Sequence, residues 1–364
     1  MMGRPKSLSR SELPAASLGL AVLAVFALAQ NQDSYSLSGD RIAVYNLAGQ
    51  ITIEPGTGSA VTIEVRPGGR DAGELRVETG PIRGRETLRV LYPADRIVYD
   101  RGGARNRFQT QIRVDEDGTF GDSDRDSWRG RNRRDRVEIT SGGRGLDAYA
   151  DLTISVPRGQ EFALYLGVGE ISATNVDGTI RLDGSATSVT ATGSRGQLVI
   201  DVGSGGVRVT DAEGDVDIDT GSGSVEVSGA RGDIFRVDTG SGSVTASQIN
   251  ARNIDIDTGS GRINLRGATA LNVRLDTGSG SVEAELDPGA ADIEVDTGSG
   301  GVHLTLPADF GATVDIETGS GGIELDFPVE VRRWERDHVR GTIGDGRGRL
   351  MIDTGSGSVT IRKK

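Results

Sequence analysis

A five-residue turn, Asp-Thr-Gly-Ser-Gly, recurs through the second half of this chain and constrains its fold more than any other feature. It reads DVGSG at Asp201, DTGSG at Asp219, Asp238, Asp257, Asp276, Asp296 and Asp353, and ETGSG at Glu317. Successive copies begin 18, 19, 19, 19, 20, 21 and 36 residues apart, and a degenerate copy, Asp183-Gly184-Ser185, lies 18 residues before the first. The last gap reads as two periods with one motif lost around Trp334. A fixed period of this length marks a repeat architecture whose unit is one supersecondary element.

Aligning the copies on the acid shows what each unit buries. The positions three and one before it are Leu198/Ile200, Val216/Ile218, Phe235/Val237, Ile254/Ile256, Val273/Leu275, Ile293/Val295, Val314/Ile316 and Leu350/Ile352. Those six and eight after it run from Val207/Val209 through Val244/Ala246 and Val302/Leu304 to Val359/Ile361, again all apolar. Period-two alternation on both sides of a glycine turn predicts two short strands per repeat, each sending two side chains to one interior. A second turn, such as Gly229-Ala230-Arg231-Gly232, closes the coil. Four buried side chains cannot stabilise a unit alone, so neighbouring units must stack. A hairpin array would satisfy the same pattern. The slot two before the motif acid favours a solenoid: it reads Asp217, Arg236, Asp255, Arg274, Glu294 and Asp315, and the first four alternate in sign as stacked strands require. The expected fold is therefore all-β, a β-solenoid of about 18 to 21 residue repeats with an N-terminal β region.

Composition agrees. Fifty-five glycines with few aromatics, in a chain rich in Val, Ile, Thr and Ser, favour strands and tight turns. Residues 1–29 read as a cleaved signal peptide, with Arg4, Lys6 and Arg10 ahead of the apolar run Leu18 to Ala29. That run is too short to span a bilayer comfortably, so no transmembrane span is expected after cleavage. Export then implies a periplasmic, cell-surface or extracellular location. With no cysteine, stability must come from packing and backbone hydrogen bonds. The net charge of −12 argues against nucleic acid as a partner.

Residues 36–165 are read as the N-terminal β region, from alternating stretches such as RIAVYNLAGQITIE at Arg41. Its charged segment at about 100–135 is expected to be an exposed insertion with little to bury. Residues 166–364 form the solenoid, with a cap built from Phe327, Trp334 and the strand ending at Lys363.

Asp-Thr-Gly-Ser is also the active-site signature of aspartic proteases, but those enzymes need two carboxylates sharing a proton in a cleft between lobes. A turn repeated along a coil offers a row instead. For that row the expectation is that each acid accepts hydrogen bonds within its own turn, and that the glycines supply positive φ at the corner. The sharper reading places divalent cations, calcium in particular, between rungs at Asp219, Asp238, Asp257, Asp276 and Asp296, although the GGxGxD pattern of calcium-binding solenoids is absent. Asp115, Glu116, Asp117, Asp122, Asp124 and Asp126 crowd the insertion without EF-hand spacing. Arg129, Arg131, Arg133, Arg134 and Arg136 around Trp128 balance those acids or grip an anion. His303 and His338, the two histidines, show no partner in the sequence, and zinc chemistry lacks ligands. No GxSxG nucleophile elbow sits between a strand and a helix. No catalytic and no cofactor-binding residue is assigned.

The tandem (D/E)TGSG turns with their flanking V-x-(I/V) strands, the closing RLMIDTGSGSVTI from Arg349 to Ile361, and GDRIAVYNLAGQITIE near the start together resemble the bacterial putative adhesin family. That resemblance implies a β-solenoid domain of unknown function and transfers no catalytic residue. The functional expectation is a non-enzymatic envelope or surface module that binds a surface glycan or an envelope protein through its repetitive faces. The alternatives are a structural or regulatory component acting through one protein partner, and a polysaccharide-acting enzyme with a carboxylate pair on an outer face.

Overall fold

The computed structural model describes residues 33–101, 108–121 and 135–364. The signal peptide expectation lies outside them. Among the described residues no helix is long and apolar enough to cross a membrane.

The expected β-solenoid is the architecture found. One sheet system of 26 strands runs through the chain. Each repeat supplies a strand before its DTGSG turn and another after it, and each strand pairs in parallel with the equivalent strand one repeat away. Val216–Thr220 pairs with Arg231–Thr239, which pairs with Asn250–Thr258, so that Asp219, Asp238 and Asp257 stand in register. After the turn, Val225–Ser228, Val244–Ser247 and Ile263–Ala268 pair in the same way. Neighbouring rungs are therefore about 4.8 Å apart. The sixteen slots before the turns are all buried, as are those after them except Ile323 and Leu325, which are half-buried at the far end of the stack.

Coiling begins well before the first motif. Arg41–Pro55 pairs in parallel with Gln160–Thr174, and that strand with Asp177–Thr192. The division drawn at 165/166 thus cuts the middle of a strand, and one apolar core runs from Leu37 to Ile361.

Nor is the charged insertion wholly exposed. Gln109–Val114 and Asp135–Thr140 join Arg96–Val98 and Leu146–Asp147 in a separate four-stranded sheet. Its Ile97, Ile112, Val137 and Ile139, with Phe120, cover Ala43, Tyr45, Leu47, Ala163 and Tyr165 on the outside of the first rungs. A few alternating apolar residues in a charged stretch suffice because the surface they meet is already ordered.

The end of the chain departs most from expectation. The Asp353 rung does not follow the Glu317 rung; it lies inside the stack. Gly348–Thr354 pairs in parallel with Asp292–Thr297 on one side and Ala312–Thr318 on the other. Val359–Lys363 is likewise held between Val302–Leu306 and Ile323–Leu325. No motif is lost in the 36-residue gap. The gap is spent on a hairpin, Val329–Trp334 with His338–Ile343, that pairs antiparallel to the Glu317 rung and returns the chain to the vacant level beneath it. The strand ending at Lys363 is therefore interior and caps nothing. Phe327 does close the end, buried against Phe310 with ring centroids 6.3 Å apart, whereas Trp334 is 53% exposed.

Electrostatics give this order a physical reason. In chain order Glu294 and Asp315 would be stacked neighbours of like sign. The inserted rung puts Met351 between them, and Asp315 bonds instead to His338 Nε2 at 2.9 Å and Arg340 Nε at 3.1 Å.

Candidate functional face of the solenoid

The strand before each turn alternates inward and outward, which places the motif acid on the outer surface and the following threonine inside. Nine acids consequently form one column. Asp183, Asp201, Asp219, Asp238, Asp257, Asp276, Asp296, Asp353 and Glu317 are successive partners in register. The first two share Arg181, whose guanidinium lies 3.4 Å from Asp183 and 3.3 Å from Asp201. Arg274 reaches Asp276 at 3.5 Å.

The acids do not cap their own turns, contrary to expectation. Thr220 Oγ1 accepts the Gly223 N–H at 2.8 Å, Thr258 Oγ1 accepts that of Gly261 at 2.8 Å, and Thr354 Oγ1 accepts that of Gly357 at 3.0 Å. The Thr220 hydroxyl donates within its own turn, to the Gly223 carbonyl at 3.1 Å. From Thr239 onward the hydroxyls donate to the glycine carbonyl of the preceding rung, as Thr258 does to Gly242 at 3.1 Å and Thr277 to Gly261 at 3.0 Å. Thr354 donates to Gly300 and Thr318 to Gly357, so this wire follows the spatial order through the inserted rung. The reason is alternation: the acid points away from the turn, and only the inward threonine reaches its amide.

The DTGSG glycines also serve differently from the expectation. Their φ values are not in the left-handed region. A Cβ on Gly261 would lie 1.8 Å from the Gly242 carbonyl oxygen, and one on Gly259 2.4 Å from that of Gly240. Close backbone approach between rungs demands glycine here. Positive φ belongs to the second corner, at Asn175, Gly193, Asp211, Gly229, Gln248 and Gly267.

With no turn amides to neutralise it, the acid column carries its own repulsion, about 1 kcal/mol per neighbouring pair even in water. Partial burial, followed by the neighbouring carboxylates, raises the carboxyl pKa values of Asp219, Asp257 and Asp296. The expected cation row Asp219, Asp238, Asp257, Asp276 and Asp296 is thus brought together as a line. Among the described residues no three histidine or acidic side chains converge as a metal group would require.

The insertion's acids are placed in part. Asp115 is buried and bonds to Arg83 at 3.0 Å, while Asp117 Oδ1 accepts from Thr119 N and Oγ1. Asp122, Asp124, Asp126, Trp128, Arg129, Arg131, Arg133 and Arg134 lie outside the described residues. Arg136 and His303 are exposed on their strands.

Two further outward columns flank the acids, and sequence reasoning captured only part of them. Asp217, Arg236, Asp255, Arg274, Glu294, Met351 and Asp315 stand in register, alternating in sign through Glu294. Beyond them, Asn253, Asn272, Asp292 and Arg349 are successive neighbours. Between these two columns the face is hollowed into an open groove of about 390 Å³. Arg349 and Met351 enter it only because the last rung is inserted, so their spacing in sequence gave no signal.

The sequence profile of Toastrack DUF4097, a domain of unknown function, matches residues 148–362, more than half of the chain. A solved structure of a "putative cell adhesion protein" from Clostridium sporogenes aligns over 92% of this chain and 99% of its own, at 10% identity and a TM-score of 0.22. That likeness is too low to bear on function. No curated protein matches the chain.

Proposed function

This chain belongs to the Toastrack DUF4097 family, and from that premise we propose that it is a non-enzymatic exported module of the cell envelope that binds surface glycan through its outer face. The observation that carries this reading is the register of the outward columns. The same polar side chains recur every ~4.8 Å on a sheet whose interior is fully packed. A rigid ladder of this kind loses little conformational entropy on binding and can engage a long polymer at several points. The acids of the column stand in one line on an open face, an arrangement without the facing carboxylates that glycoside hydrolysis uses.

A second reading, action through one protein partner, draws on an open groove of about 650 Å³ at the base of the insertion, lined by Leu47, Tyr92, Val114, Glu116 and Arg136. One experiment separates the two. The chain from Asp33 onward is co-sedimented with envelope fragments, intact and with the exposed groove residues Glu116 and Arg136 both replaced by alanine. Retention in both forms supports the outer face; loss on the double replacement transfers the function to the groove at the insertion. No retention by either form defeats the envelope reading.

A further inference from the structure

We infer that the groove between the two outer columns is a binding site for a neutral, linear polysaccharide, seated by Asn253, Asn272, Asp255, Arg274 and Glu294 and ended by Met351 on its last rung. The inference rests on the surface-binding reading and assigns to it a place and a ligand class.

The lining has the chemistry that hydroxyl groups require. Amides, carboxylates and guanidinium groups present paired, planar donors or acceptors that match adjacent hydroxyls. Asn272 Nδ2 donates to Asn253 Oδ1 at 2.7 Å, which fixes both amides and leaves the Asn272 carbonyl oxygen and the Asn253 amino group to face a ligand. Half-buried Met351 offers a soft apolar contact for the C–H face of a sugar ring.

Charge selects the class. Three carboxylates, Asp255, Asp292 and Glu294, stand against two guanidinium groups, Arg274 and Arg349, so the groove itself is nearly balanced. The acid column runs beside it and repels a polyanion along its whole length. A polycation would be drawn to that column and gain nothing from the amides. Hydroxyls gain from both kinds of charged group.

Shape favours a chain segment over a chain end. The groove is open and spans the Asp257, Asp276, Asp296 and Asp353 rungs, so a polymer can enter and leave along the stack. Rungs about 4.8 Å apart approximate the advance of one extended sugar residue, which permits successive residues to meet successive rungs. The inserted C-terminal rung completes the lining by extending both columns, since Met351 and Arg349 come from nearly 100 residues beyond Asn253 in the chain.

Calorimetric titration with cellohexaose, the fully N-acetylated chitohexaose and a hexameric uronate tests the inference. Saturable binding of either neutral hexamer is expected, weakened at least about tenfold in Asn272→Ala and in Arg274→Ala. Both positions are on the surface, and unchanged melting would show that the variants remain folded. Arg76→Ala, exposed on the strand Arg76–Ile82 and outside both the groove and the outward columns, should bind as the parent does. Absence of binding by both neutral hexamers overturns the inference, as does preference for the uronate. Neutral binding undiminished in the Asn272 and Arg274 variants overturns the groove while leaving surface binding intact, and envelope co-sedimentation tests that reading separately.

Discussion

A single column of the solenoid begins as a roofed apolar surface and ends as an open line of charge. Tyr45 and Tyr165 occupy the first two levels, Asp183 the next, and acids follow to the far end. The tyrosine rings stack with centroids 4.5 Å apart beneath the small sheet. At the same register position eighteen residues later a carboxylate replaces the ring, its side chain still only 14% exposed, and the column opens at Asp201, where 48% is exposed. Backbone geometry is shared by the two regions, so what differs is whether another element pays for an apolar residue by covering it. Only the uncovered part can meet a partner.

This contrast is open to direct attack. The largest effect is expected from Tyr165→Ala, which should lose about 3–5 kcal/mol in urea denaturation through the cavity left under the roof. Asp238→Ala, in the same column but uncovered, should stay within about 0.5 kcal/mol of the parent. Equal losses at the two sites would remove the distinction between the regions.

Next comes Gly261→Ala, whose Cβ would meet the Gly242 carbonyl at 1.8 Å and force two rungs apart. A loss of about 3 kcal/mol is expected there, against almost none for the exposed Ser260→Ala in the same turn. Thr258→Val keeps the shape but strands the buried Gly261 N–H and should cost about 1–3 kcal/mol. If the acids capped the turns, Asp257→Ala would instead show that loss.

The smallest effect concerns pH. Asp219, Asp257 and Asp296 titrate above the ordinary carboxylate value in the folded chain, so folding favours their protonated forms. Their contribution is fully present below the unfolded value and is lost as pH rises through the raised values. Melting temperature should therefore rise slightly as pH falls through that window, and the triple Asp→Asn variant should lose this rise. Asp315 acts with the opposite sign. Burial would raise it, but hydrogen bonds from Arg340 and His338 outweigh that and hold it below its usual value. Its stabilisation is lost only as pH falls through that lower range. Salt at about 1 M should flatten the rise by screening the column.

Much of this was legible in the residues. Apolar slots at fixed offsets from each acid predicted both strands of every rung, and the alternation of Asp217, Arg236, Asp255 and Arg274 predicted parallel stacking in register. Three features were hidden for physical reasons. Thr220 and its equivalents received no role from the sequence, because a residue's inward direction matters only once the acid's outward direction is fixed. The roof was hidden because Ile112 and Phe120 are few among charges, and their value depends on a tyrosine surface formed elsewhere. The order of the last two rungs was hidden because spacing reports how much chain lies between motifs, not the level to which it returns. That last point also concealed the groove, since Arg349 and Met351 join Asn253 and Arg274 only through the inserted rung.

Disulfide trapping tests that insertion most directly, and a chain without native cysteine suits it. Cysteines are placed in pairs at positions 296 and 353, 353 and 317, and 296 and 317. Neighbouring rungs bring Cα atoms to about 4.8 Å, and rungs two apart to nearly 10 Å, beyond disulfide reach. Oxidation should cross-link the first two pairs and leave the third as free thiols. Cross-linking of 296 with 317, with 296 and 353 remaining reduced, would contradict the inserted rung and the groove built on it.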